Sequence, residues 1–156
     1  MEIEIRRAAP ELAPTLTDIA HAAKRHWAYP ERWIESWREV LTITPPYIVE
    51  HEVLVAVVGE EVIGFYALVD LGTHWSLDHL WVRPQHIGRG VGRRLFAHAV
   101  ERAQALHPMP LRIESDPNAE RFYLRMGARR IGWVPADIDG VRRALPHLEL
   151  SIAPGD

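Results

Sequence analysis

The sequence contains no cysteine. That excludes disulfides, thiolate zinc sites and a cysteine nucleophile, and it agrees with a reducing, cytoplasmic setting. No apolar run approaches the ~20 residues of a membrane span. Met1-Glu2-Ile3-Glu4-Ile5-Arg6 alternates like a strand and lacks the apolar centre of a signal peptide. Positive charge is not in excess: 18 Lys and Arg against 21 Asp and Glu leave a net charge of -3, which argues against nucleic acid as the main partner. Internal repeats and low-complexity segments are also missing. His74 and His79 do not have the spacing of two ligands on one strand face, so no metal is expected. What remains is 156 residues, 47% hydrophobic and 25% charged, a length and composition that suit one soluble domain spanning 1–156.

The most informative stretch runs from Leu77 to Leu95. Asp78, Leu80 and Val82 alternate with Leu77, His79 and Trp81, the period of a strand. Pro84 has no N–H to give and stops the ladder. Gly88, Gly90 and Gly92 follow, where the missing Cβ lets the backbone turn tightly and approach a ligand. Val91, Leu95, Ala99, Arg102 and Leu106 then keep helical spacing, with Phe96, Val100 and Ala103 broadening the apolar stripe. A helix N-terminus carries unpaired N–H groups and partial positive charge. Amides from Ile87 to Gly92 can therefore wrap a pyrophosphate, with Arg89, Arg93 and Arg94 adding charge. A glycine-rich connection with solvated arginines is the bland alternative. There is no Gly-Lys-Ser/Thr for a P-loop, and Arg93 stands where a dinucleotide fingerprint wants glycine or alanine.

The rest of the chain reads as alternating helices and strands. Residues 2–7 form a first strand. Pro10 opens a helix whose buried face is Leu12, Leu16, Ile19, Ala20 and Ala23, and which ends near Lys24-Arg25-His26. A second helix begins at Pro30 with Ile34, Trp37 and Leu41 on one face and Trp33 beside Trp37. Tyr29 and Trp33 are candidates for an aromatic wall beside a substrate, and Trp27 is a weaker one. Large aromatics anchoring a helix are the alternative, above all for Trp37. With Glu31 or Glu35 nearby, such a wall suits a cationic or amphipathic amine. Pro45-Pro46 is expected to end this helical region. Glu52–Val58, Val62–Val69 and the central strand form an antiparallel meander, with turns at Gly59 and Gly72. After the long helix come a short strand at 111–115 and a short helix capped by Asp116-Pro117, with Ala119, Phe122 and Met126 on one face and Gly127 at its end. Two last strands lie near 128–134 and 143–151, joined by a turn at Asp139-Gly140.

Two of these segments resemble a known family. Gln85-x-x-Gly88-x-Gly90, after a strand ending Leu80-Trp81-Val82-Arg83-Pro84, resembles the acetyl-CoA signature of the GNAT superfamily of N-acetyltransferases. Ala119-x-x-Phe122-Tyr123-x-x-x-Gly127, about 30 residues on, is similar to a second signature of the same family. The family often has asparagine three positions before the alanine. Here Asp116 stands there and Asn118 lies one before. The resemblance implies an α/β (α+β) fold: a central, mixed, mostly antiparallel, twisted sheet flanked by helices. It implies acetyl-CoA bound along Leu80, Trp81, Val82, Gln85, His86, Ile87, Gly88, Arg89, Gly90, Val91, Gly92 and Arg93, and by Asn118, Phe122 and Tyr123. Asn118 is expected to bond the pantetheine arm and Asp116 to cap the helix.

The implied activity moves an acetyl group directly to a primary amine, taken here as a small molecule. The rivals are a non-catalytic acyl-CoA sensor and acetylation of a protein or peptide amine. An alkylammonium near pKa ~10.4 must lose a proton before it attacks. Asp78 is ranked first as the base, acting through water and bordering the substrate, and His79 second. A partner for a neighbouring arginine is the structural alternative for Asp78. Neighbours on a strand face opposite ways, so ordinarily one of the two faces the substrate. Tyr123 is implied as the proton donor to the departing thiolate, and a backbone N–H near Val82 as the donor to the carbonyl oxygen. A buried aromatic with a bonded hydroxyl is the alternative for Tyr123. Exposed apolar residues on the last strands would permit a homodimer, and no membrane partner is expected.

Overall fold

A computed structural model describes residues 2–155. In chain order the elements are β1 (Glu4–Arg7), α1 (Ala13–Arg25), α2 (Glu31–Ser36), α3 (Pro45–Glu50), β2 (Glu52–Val58), β3 (Glu61–Asp70), β4 (Trp75–Val82), α4 (Val91–Leu106), β5 (Leu111–Glu114), α5 (Glu120–Arg125), β6 (Arg129–Pro135) and β7 (Ala144–Leu150). Short 3-10 turns at Pro10–Leu12, Pro84–His86 and Pro117–Ala119 lead into α1, the glycine loop and α5. The seven strands form one sheet in the order β1-β2-β3-β4-β5-β7-β6. The pairs β1–β2, β2–β3, β5–β7 and β6–β7 are antiparallel, and β4–β5 is parallel. The expected mixed sheet flanked by helices is thus the observed one. Among the described residues no helix is long and apolar enough to cross a membrane.

The chain divides into two compact units, Met1–Leu68 with His79–Ala99, and Val69–Asp78 with Val100–Asp156. The division falls inside β3, β4 and α4, each of which contributes to both units. In the first unit Leu16, Ile19 and Ala20 of α1 pack with Ile48 of α3 and with Val53, Val55, Phe65 and Ala67 of the strands. Five successive buried positions in β2, Val53 to Val57, show that both faces of this strand are covered, which is why its sequence alternates so little. In the second unit the Trp75 indole N–H donates to the His107 carbonyl at 2.7 Å, tying the start of β4 to the chain beyond α4. Glu149 on β7 lies opposite Arg112 on one neighbouring strand and Arg129 on the other. It accepts from both guanidinium groups at 3.1 Å.

One expectation needs correction. Pro45-Pro46 opens α3 rather than ending the helical region. The Thr44 hydroxyl caps this helix by accepting from the Tyr47 amide at 3.3 Å, and proline at the first helical positions gives up only N–H groups that would be unpaired anyway. On α5 the buried residue is Tyr123, and Ala119, Phe122 and Met126 are half-buried. Six helical residues are too few for the periodicity to fix which face turns inward.

Candidate active site

The glycine loop is held from below by β3. Pairing of β2 with β3 passes from Ala56↔Gly64 to Val57↔Val62, so Ile63 is an extra residue, a bulge. Beside the bulge Arg83 takes two carbonyl groups of β3. Its backbone N–H donates to Ile63 at 2.8 Å and its side-chain Nε to Val62 at 2.7 Å. Gly64 lets the strands close at this point: a Cβ there would lie 2.8 Å from the Trp81 carbonyl oxygen and 3.4 Å from the Val82 Cα. Arg83 and Gly64 were not singled out from the sequence, because a bulge cannot be seen in an apolar run such as Val62-Ile63-Gly64-Phe65.

Beyond Arg83 the chain turns through Pro84–His86 and reaches the glycines. Gly88 and Gly90 have φ of 83° and 81°, the left-handed region that other residues reach only with strain. No atom lies within 4 Å of a Cβ built on either, so the space beside the loop is open. The first bond into the helix runs from the Arg94 N–H to the Gly90 carbonyl at 3.1 Å. The N–H groups of Val91, Gly92 and Arg93 therefore precede the helical ladder. Arg89, Gly90, Arg93, Arg94, Ala97 and Ile3 line an open cavity of about 630 Å³. The Arg94 guanidinium is fixed on its wall by a 3.1 Å bond to the Ile3 carbonyl. Open space, left-handed glycines, leading amides and three guanidinium groups fit a diphosphate. Gln85 and Ile87 are exposed and His86 is half-buried. The His86 Nδ1 is buried and hydrogen-bonds to none of the described residues. Leu80, Trp81 and Val82, at the end of β4, are half-buried.

Asp78 and His79 face opposite ways, as strand alternation requires. Asp78 is exposed, and its carboxylate accepts from the Ser76 hydroxyl at 2.7 Å. His79 is 8% exposed. Its ring lies edge-on to Tyr47 and tilted against Phe65, with centroids 5.9 and 6.0 Å away. The Trp81 indole N–H donates to His79 Nδ1 at 2.9 Å. Indole has only a donor to offer, so Nδ1 is the acceptor and the neutral ring carries its hydrogen on Nε2.

The second motif supplies a capped turn. Asp116 Oδ1 accepts from the Asn118 backbone N–H at 2.8 Å and from its side-chain amide at 3.0 Å. Asp116 is therefore the cap, and it also orients the Asn118 side chain. Tyr123 is 7% exposed, and burial, reinforced by the Asp116 carboxylate, pushes its phenol far above the ordinary tyrosine range. It stays a neutral O–H donor at any working pH. Phe122 packs edge-on against it at 5.1 Å. Near α2, Tyr29 stacks on Trp33 at 5.9 Å and meets Trp37 edge-on at 5.1 Å. Glu31 and Glu35, the acidic neighbours anticipated there, pair with Arg25 and Arg38. Among the described residues no group of three or more His, Cys, Asp or Glu could hold a metal.

Residues 49–127, from the end of α3 to the glycine after α5, match the family model described as an acetyltransferase (GNAT) domain. The chain belongs to this GNAT acetyltransferase family. Comparison with curated proteins gave no match. Among solved structures, the GCN5-related N-acetyltransferase of Rhodopseudomonas palustris superposes with a TM-score of 0.81 at 22% identity, over 97% of each chain. The PaiA N-acetyltransferase of Thermoplasma acidophilum, solved with coenzyme A, gives 0.75 at 23% identity, over 97% of this chain and 99% of its own. YncA of Salmonella typhimurium, solved with its cofactor acetyl-CoA, gives 0.73 at 20% identity, over 100% of this chain and 97% of its own. All three share the fold.

Proposed function

We propose that the chain is a single acetyltransferase domain that transfers the acetyl group of acetyl-CoA directly to a primary amine of a small molecule. The observation that carries this reading is the loop at Gly88 and Gly90, opening onto α4 beside Arg89, Arg93 and Arg94. When bound, the coenzyme supplies an activated acetyl thioester. The amides from Ile87 to Gly92 and the three arginines hold its diphosphate. Leu80, Trp81 and Val82 border the thioester arm, with an amide near Val82 serving the carbonyl oxygen. Asn118 bonds the pantetheine, and Phe122 packs beside Tyr123.

Asp78 is the base, taking the amine proton through water. Support comes from its exposed carboxylate, steadied by Ser76. His79 is less suited because its Nδ1 already accepts from Trp81. Tyr123 donates a hydrogen bond to the leaving sulfur. With its phenol pushed up by burial and a thiol near ~8.5, complete proton transfer runs uphill, so its main effect is to stabilise developing thiolate charge. Tyr29 and Trp33 border the acceptor. Amine and thioester meet in one ternary complex, and proximity supplies much of the rate.

Gly90→Leu tests this. A side chain at φ 81° is strained and projects into the open side of the loop. Coenzyme A binding, followed by calorimetry, should disappear while the far-ultraviolet circular dichroism stays native. Undiminished binding removes the cradle. In the unaltered protein, tight coenzyme binding with no thiol release across a panel of small amines would leave only a sensor.

A further inference from the structure

Lys24 is the only lysine in the chain; the other 17 of its 18 cationic residues are arginines. Its side chain is half-buried and its ammonium lies against aromatic rings. It sits 4.3 Å from the centre of the Trp37 ring and 5.0 Å from that of Tyr29. Those two rings meet edge-on, and Trp33 completes the group, 5.9 Å from Tyr29 and 6.1 Å from Trp37. Two rings against one ammonium, with a third ring packed on both, make a cation box, attractive through the negative faces of the rings. The box is built from two elements. The last turn of α1 brings Lys24, and α2 with the residues flanking it brings the rings. Trp37 is anchored on the hydrophobic cluster of the first unit, whereas Tyr29 and Trp33 are half-buried and reachable. The Glu31 and Glu35 carboxylates of α2 pair with Arg25 and Arg38.

We infer that the box formed by Tyr29, Trp33 and Trp37 binds a second, non-reacting cationic nitrogen of the acceptor, and that Lys24 is a built-in place-holder which the ligand displaces. This rests on the proposal that Tyr29 and Trp33 border the acceptor. A ring cage stabilises the charged form of an amine. The nitrogen that attacks a thioester must be uncharged. The caged nitrogen is therefore not the one acetylated. The acceptor class is a diamine or oligoamine, held by one ammonium while another amine reacts. A monoamine of equal length has one nitrogen, which cannot both occupy the box as a cation and attack the thioester uncharged.

A single lysine makes the test direct. In protein labelled with carbon-13 at lysine, the one Lys24 side-chain signal reports its surroundings without coenzyme or turnover. It should lie upfield of an exposed lysine through ring currents, and Tyr29→Leu should remove part of that shift. Titration with tetramethylammonium chloride should move it toward the exposed position, while sodium chloride at equal ionic strength should not. Lys24→Met keeps the stem but not the charge, and should bind tetramethylammonium about tenfold more tightly than the native protein. The Trp33→Leu and Tyr29→Leu variants should bind it about tenfold more weakly. In turnover, 1,4-diaminobutane should exceed 1-aminobutane in kcat/KM by about tenfold, and Trp33→Leu should erase the difference. A Lys24 signal at the exposed position in the native protein, or equal tetramethylammonium affinity for Lys24→Met and Trp33→Leu, overturns the inference. Failure of the transferase reading would look different: no amine would release thiol, yet the lysine signal would still respond.

Discussion

Gly64→Ala adds one methyl group at the point where the bulge of β3 meets the end of β4. That methyl would stand 2.8 Å from the Trp81 carbonyl oxygen and 3.1 Å from Leu95 Cδ1. Leu95 can rotate away. The carbonyl belongs to the backbone, and a relaxed carbon–oxygen contact is about 3.3–3.6 Å, so β3 and β4 must part by roughly 0.5 Å. Overpacking of this kind costs about 1–3 kcal/mol, and the loss of glycine's freedom in the unfolded chain returns about 0.4–1 kcal/mol. A net loss of about 1–2 kcal/mol lowers Tm by roughly 2–8 °C for a chain of this size. The consequence reaches the site, because Trp81 and Val82 lead into Arg83, which is pinned to the Val62 and Ile63 carbonyls. Displacing that anchor shifts the glycine loop, so coenzyme A affinity should fall several-fold, beyond what a uniform loss of stability explains. Thermal denaturation and a coenzyme titration measure the two effects separately. If the variant melts within about 1 °C of the native protein and binds coenzyme A as well, the close approach does not govern this region.

Glu149→Gln should cost about 1–2 kcal/mol, read by thermal melts across pH. Bonds to charged groups contribute ~1.5–3 kcal/mol, discounted here because Arg129 is largely exposed. The Arg112 hydrogen bond, and then Arg129, hold the Glu149 carboxyl below its ordinary value despite burial. Its stabilisation is therefore complete above the unfolded glutamate value of 4.5 and is lost as pH falls through the lower folded value. The gap between the melts of the native protein and the Glu149→Gln variant should close in acid, and a gap that widens there contradicts the assignment. Tyr123→Phe should lower kcat about 100-fold with little change in KM for the coenzyme. Because burial raises the phenol, no alkaline limb below about pH 10 should come from Tyr123, and one that vanishes in the Phe variant would count against this. Trp81→Phe removes the donor to His79 Nδ1 at a cost of about 1 kcal/mol. Nitrogen-15 spectra should show Nε2 carrying the hydrogen in the native neutral ring and both tautomers in the variant. Mixed tautomers in the native protein would contradict the indole bond.

The sequence by itself determined what depends on neighbours along the chain. Spacing revealed α1 and α4, since a buried face on a long helix repeats every three to four residues. The glycines at 88, 90 and 92 marked a tight turn able to approach a ligand, because they lack a Cβ. The two motifs at Gln85–Gly90 and Ala119–Gly127 pointed to the family. Asp116-Pro117 announced a capped helix through local chemistry alone.

Only the tertiary structure decided matters that depend on residues far apart in the chain. It put Asp78 in the open and His79 against Tyr47 and Phe65, a choice left undetermined by strand alternation. Pairing across two strands made Ile63 a bulge and gave Arg83 its anchoring carbonyls. The fold set Lys24, at the end of α1, against the rings of Trp37 and Tyr29. Local propensity acts over a few residues, whereas bulges, close approaches and ring cages arise where the fold returns the chain to itself.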